Sequence, residues 1–311
     1  MNQRLEFEQA NPYTDDEIDL RQLFATLWAG KWLFVAFTVV FATGGVAFAL
    51  MKPDIYQASV LVAPANDDGG AQGLSGQLGG LASLAGINLG SGGSNQTVIA
   101  KEVLQSRAFL SNFIRRHELA APLKAATGWD IKSQRWLYDR ELFNSDIGEW
   151  LFDEQGESFA PTEWDLVKAF KGNNLSVSES KDTGMLTVSV SSLSPIAARE
   201  WATKLIADIN EHMRREDVGS SEARIAYLES KLSETSIAGM QQVFYQLIES
   251  ETRTVMLANA QPEYVFKTID PAVVPQEKSE PKRALIVVLA VMLGGMLGVF
   301  FVFLQAFFKK S

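Results

Sequence analysis

Two charge-free runs at opposite ends of the chain constrain the fold more than anything between them. Ala284 to Phe308 is 25 residues without a charged side chain. Trp32 to Met51 is 20 residues of the same kind. At about 1.5 Å of rise per residue, either run as a helix crosses a hydrocarbon core of roughly 30 Å. Backbone N–H and C=O groups find no water there, so each run must be helical. A buried core helix of a soluble protein is seldom so long without a charge. A cleaved signal peptide is the rival reading of the first run, because Ala47-Phe48-Ala49 fits a small-x-small cleavage site. The preceding region argues against it, since it is about 30 residues long and acidic, not short and basic.

Two spans place both termini on one side and Pro53 to Arg283, 231 residues, on the other. Lysine and arginine are balanced between tails and loop ends, so charge barely orients the chain, and long loops translocate largely regardless of charge. The tails are read as cytoplasmic mostly on the family resemblance given below. Residues 1–31 form the first tail, with a short amphipathic helix from Ile18 carrying Leu20, Leu23, Phe24 and Leu27 on one face. Residues 309–311 form the second.

Composition narrows the function. The net charge of −9 argues against nucleic acid as a partner. With no cysteine there is no disulfide, thiol nucleophile or cysteine-held metal. The two histidines, His117 and His212, sit in no metal-ligand spacing. The glycine-rich segment 66–95 lacks both GxxxxGK[ST] and a GxGxxG that opens a helix, so it reads as a loop, not a phosphate cradle. No nucleophile elbow or zinc signature is present. The chain reads as non-enzymatic and free of cofactors and metals.

Within residues 52–283, strands are expected at 54–64, at 174–192 as a hairpin around Lys181-Asp182-Thr183-Gly184, and at 264–270. They make a sheet of about four strands, with the first and last strands paired. Gln96 to His117 carries one apolar helical face. Trp129, Trp136, Trp150 and Trp164 read as core of a small region, with sugar stacking as the alternative. Ser194-Pro195 caps a helix that continues to about Asn259, with breaks or kinks expected at Gly219 and Gly239. This arm of 195–259 either goes out and folds back or starts far out and returns, and a helix of that kind packs against partner helices. Pro271, Pro275 and Pro281 then make a stiff, extended collar before the second span. In that span Gly294 and Gly298 form a GxxxG, with Gly295 between them. The fold class is α+β: two terminal transmembrane helices (32–51 and 284–308) and a membrane-proximal α/β domain with a long protruding helical arm.

The stretch IYQASVLVAP after the first span, LASLAGINL in the glycine-rich segment, and Tyr245 to Gly298 resemble the Wzz chain-length determinant family, the polysaccharide co-polymerases. The resemblance implies an inner-membrane protein with a periplasmic domain, assembled as a homo-oligomeric ring. It implies control of the modal length of lipopolysaccharide O-antigen or a related surface glycan, alongside a membrane polymerase. The growing polysaccharide and membrane lipid are further implied partners. Pro271, Pro275 and Pro281, with Gly294, Gly295 and Gly298, match elements that the family uses in assembly and polymerase contact. Some relatives continue into a cytoplasmic tyrosine kinase; ending at Ser311 without a phosphate-binding motif, this chain resembles the kinase-free type. An export co-factor for capsule or exopolysaccharide shares the architecture and is the nearest alternative. A two-span sensor is more distant, because tails of about 31 and 3 residues leave no room for a signalling module.

Overall fold

The computed structural model describes residues 27–65 and 92–310. The amphipathic helix expected from Ile18 and most of the glycine-rich segment lie outside the described residues. The chain divides into two units, one made by its two ends up to Lys52 and from Lys282, the other by Pro53–Pro281.

The terminal unit holds two helices, α1 (Lys31–Met51) near the start and Arg283–Lys310 at the end. They pack along each other in opposite directions. Gly30 lies against Val302, Gly45 against Ala290, and Phe37 stacks on Phe301 with ring centroids 4.9 Å apart. Both helices are long and apolar enough to cross a membrane.

The central unit is built on a four-stranded antiparallel sheet. Its strands are β1 (Tyr56–Pro64), β6 (Leu175–Glu179), β7 (Leu186–Ser192) and β8 (Phe266–Asp270), in the order β6-β7-β1-β8. Alternation along β1 puts Ala58, Val60 and Val62 on one face, paired with Val190, Val188 and Leu186 of β7. All six are buried, which fixes the register, since a one-residue slip would expose them all. The opposite face is polar, with the Ser59 and Ser189 hydroxyls 2.8 Å apart. The expected pairing of first and last strands is present as β1 with β8, with an irregularity between Leu61 and Val62. Next to it Ile55 N donates to Glu280 O at 2.9 Å, so the two points where the chain enters and leaves this unit are joined.

Helix α6 (Pro195–Glu234) covers the apolar face. Ser194 is its N-cap, accepting from Ala197 N at 3.2 Å, with Pro195 at the first position. Ala198, Trp201, Leu205, Ile209 and Met213 recur at three- and four-residue spacing and are buried in the core. Beyond Met213 the only buried side chain of α6 is Ser221, so the helix has left the core there. It continues as the expected arm and is met by α7 (Ala238–Ala260) running back. Of the two paths open from sequence, the arm goes out and folds back.

The break lies at Thr235-Ser236-Ile237, not at the expected glycines. Gly219 is inside the continuous helix and Gly239 is already in α7. Thr235 and Ile237 are extended, and the two glycines stay helical because the helices on either side of the break pack on each other. The single helix expected over 96–117 is also divided, into α2 (Gly92–Leu104) and α3 (Arg107–Arg116). Ser106 is extended and caps α3 by accepting from Phe109 N, which stops α2.

The tryptophan-rich region holds α4 (Ala120–Lys124), the hairpin of β2 (Ala126–Asp130) and β3 (Arg135–Tyr138), and the short hairpin of β4 (Phe143–Asn144) and β5 (Glu149–Trp150). Helix α5 (Glu163–Ala169) follows. Trp136, half-buried, stacks on the buried Trp201 at the edge of the core, and the half-buried Trp129 meets Trp136 edge-on. Trp164 departs from the expected core placement. It is 57% exposed, with Lys168 Nζ 4.6 Å over its ring. The second span, Arg283–Lys310, is α8.

Candidate functional site

The six residues singled out from sequence fall in two places. Gly294 and Gly298 face α1. A Cβ at Gly294 would lie 2.7 Å from Phe41 Cβ and 3.1 Å from Phe37 O; one at Gly298 would lie 3.1 Å from Phe34 Cα. The absence of side chains here lets the two helices of one chain approach closely. Gly295 is different, since its nearest neighbours, in the Phe34 ring, are 3.7 Å away. The remaining surface of both helices is apolar: Leu289, Met292, Met296 and Phe300 are each more than half exposed. Such a surface suits hydrocarbon and not water.

Pro271 and Pro275 lie in a segment without regular structure after β8, and Pro281 follows the Glu280 bridge to Ile55. Ser279 N donates to Ile55 O at 2.9 Å, and Lys278 pairs with Asp54 at 3.3 Å. The collar is therefore stitched to the start of β1 in its second half.

Two polar clusters escaped the sequence reading. Asn210 is 3% exposed on α6. It donates through Nδ2 to Phe266 O at 2.8 Å, and its Oδ1 accepts from Val265 N and Phe266 N at 2.9 and 2.8 Å. One side chain thus sets where β8 begins. A lone asparagine inside an apolar helical stripe was the available signal. Nearby, Asp217 Oδ2 accepts from Tyr264 Oη at 2.8 Å and from Gln96, tying α2, α6 and the entry to β8 together. Burial pushes the Tyr264 hydroxyl above its ordinary pKa, and the neighbouring carboxylate adds to this.

A basic-looking cleft of about 400 Å³ lies between α3 and α6, lined by Arg115, Arg116 and Arg215 with Asp208 and His212. Its arginines are already paired. Arg116 reaches Glu211 at 3.0 Å and Asp208 at 3.4 Å, Arg215 reaches Glu211 at 2.7 Å, and Arg115 reaches Glu163 at 3.2 Å. The hydrogen bond from Arg116, then that from Arg215, holds Glu211 below the usual carboxylate range. This is a pin between helices more than an anion site. Among the described residues no group of three or more histidines and carboxylates is placed to hold a metal.

Comparison with known proteins adds the family. Residues 16–117 match the family model described as Wzz, chain length determinant protein. Residues 237–307 match GNVR, the G-rich domain on putative tyrosine kinase. The chain thus carries a Wzz chain-length-determinant domain followed by a GNVR domain. Among solved structures it is similar to a full-length bacterial polysaccharide co-polymerase, at 13% identity and a TM-score of 0.40, over 94% of this chain and 99% of that one. It is similar also to a fragment of WzzB, a polysaccharide co-polymerase from Salmonella Typhimurium, at 12% identity and a TM-score of 0.36, over 73% and 100%. No curated protein matches. The first match takes in α1, β1, α2 and α3, and the second takes in α7, β8 and most of α8. Asn210 lies in neither match, on the helix between them.

Proposed function

We propose that this protein regulates the chain length of a surface polysaccharide, the O-antigen of lipopolysaccharide or a related glycan, as a non-enzymatic co-polymerase beside a membrane polymerase. One observation carries the reading. The two family matches, far apart in sequence, coincide with the segments that the fold pairs: α1 with α8, and β1 with β8. The two matched segments thus meet within each unit, helix against helix in one and strand against strand in the other. On this reading the protein sits in the inner membrane, with Pro53–Pro281 in the periplasm and both termini in the cytoplasm.

The proposal extends to assembly. α7 leaves Met240, Val243, Leu247, Met256 and Leu257 about half exposed or more. An arm with that surface calls for a partner, and further copies of the same chain supply one. Pro271, Pro275 and Pro281, and the α8 face that carries Gly295, are the proposed surfaces for assembly and polymerase contact. The deciding experiment is a gel profile of surface lipopolysaccharide from a strain lacking the protein, with and without complementation. Loss of a clustered length distribution, restored on complementation, is expected. Complete loss of surface polysaccharide would favour an export co-factor instead.

A further inference from the structure

A second cleft has a volume of about 680 Å³. It lies where α3, α4, β3, the β4–β5 hairpin and α5 meet, and its volume is ordinary for a ligand site. Three rings line it. Tyr138 and Phe143 have centroids 5.1 Å apart, and Phe143 and Trp150 are 5.2 Å apart, both pairs steeply inclined. Arg115 and Glu163 also line it, joined at 3.2 Å and largely exposed, so their remaining hydrogen-bonding capacity faces the opening. The last component is Ser111. It is 8% exposed, and its hydroxyl is buried with no hydrogen-bond partner among the described residues.

The lining chooses among ligand classes. A wholly apolar ligand would strip water from Arg115 and Glu163. An anion would meet Arg115, but also Glu118 and Glu163. A neutral sugar suits both the rings and the exposed charged pair. Its C–H faces pack on aromatic rings, and its hydroxyls both donate and accept. We propose that this cleft binds a neutral sugar residue. The identity of that sugar as a unit of the regulated glycan rests on the function proposed above.

The test uses the full chain in a detergent whose headgroup is not a sugar. The probe is short oligosaccharide cut from the parent strain's own surface glycan, with binding followed by titration calorimetry and saturation-transfer NMR. Wild-type protein is expected to bind. Trp150→Ala should weaken binding about tenfold. Arg115→Ala should weaken it about fivefold, whereas Ser111→Ala, whose hydroxyl is out of the ligand's reach, should bind as wild type does with a thermal midpoint unchanged or higher. Trp164→Ala, whose ring lies outside the cleft, should bind as wild type does. No binding by wild type, or binding indifferent to both Trp150→Ala and Arg115→Ala, overturns the site. The two readings fail separately. Unchanged glycan lengths in the deletion strain with cleft-dependent binding would remove the length-control function and keep the sugar site. Disordered lengths without binding would remove the site alone.

Discussion

At the scale of single residues, stability is concentrated in a few polar side chains placed where apolar ones are the rule. Asn210 is the strongest case. Replacing it with alanine leaves two backbone N–H groups and one carbonyl at the start of β8 without partners, at a depth where water does not reach. Each such group costs about 1–3 kcal/mol when unsatisfied, and partial relaxation makes roughly 2–4 kcal/mol the expected loss. A fall in the thermal midpoint of the detergent-solubilised protein measures it, and an unchanged midpoint would show that β8 is positioned by other contacts. The Arg116–Glu211 pair makes a different prediction, in pH. Glu211 has a lowered folded-state pKa, so its contribution is complete above its ordinary value of 4.5 and is lost as the pH falls through the lower folded value. The midpoints of wild type and Arg116→Gln should therefore differ at neutral pH and converge below about pH 4. Parallel curves over that range would mean that the pair does not titrate as one. Neither side chain shows in a motif. Polar residues that act by reaching another element are legible only once that element's position is known.

At the scale of elements, the close approach of α1 and α8 rests on missing side chains. A leucine at Gly294 or Gly298 would drive its Cβ into Phe41 or the Phe34 backbone, and the backbone cannot step aside as a flexible side chain can. Overpacking of this sort costs about 1–3 kcal/mol. Both variants should lower the thermal midpoint in detergent, whereas Gly295→Ala, with 3.7 Å of clearance, should not. If Gly295→Ala lowered it equally, helix propensity or lipid contact would matter more than this interface. The spans, the hairpin of β6 and β7 and the Ser194 cap were legible because each follows from a local period or a local signal, and the β1–β8 pairing because each of those strands adjoins a span in sequence. The failures share a cause. Ser106 divides one apolar helical face in two, and the face persists across the division because both pieces pack on one core. The arm bends at Thr235–Ile237 instead of at a glycine, because α7 must return against α6 there. Two fully buried small residues, Ser221 and Ala258, allow the helices to meet, and Arg224 pairs with Glu251 across them at 2.8 Å. Where a helix turns is decided by what its two halves bury together, and that lies tens of residues from the turn.

At the scale of the whole molecule, the proposed function poses the question whether the arm measures glycan or joins copies of the chain into the proposed oligomer. A ruler needs a surface that binds sugar along its length. The arm instead presents Tyr227, Val243, Leu247, Met256 and Leu257, apolar side chains whose exposure calls for protein contact. Its ion pairs, Arg224–Glu251, Lys231–Glu234 and Arg253–Glu249, are spent within the arm itself. The aromatic cleft with the unpaired Ser111 hydroxyl lies in the sheet unit, among α3, β3 and α5, and not on the arm. Shortening the arm by equal lengths of α6 and α7 on either side of Thr235–Ile237 should then dissolve the oligomer. Length control should be lost altogether, with no new and shorter mode appearing. The oligomer is read by native mass spectrometry in detergent and the glycan by gel profile, on the same variant. A modal length that falls in step with the arm while the oligomer stays intact would reverse the conclusion, because only contact along the arm scales in that way. Random lengths with an intact oligomer would place the arm's role in meeting the polymerase instead of in joining copies of the chain.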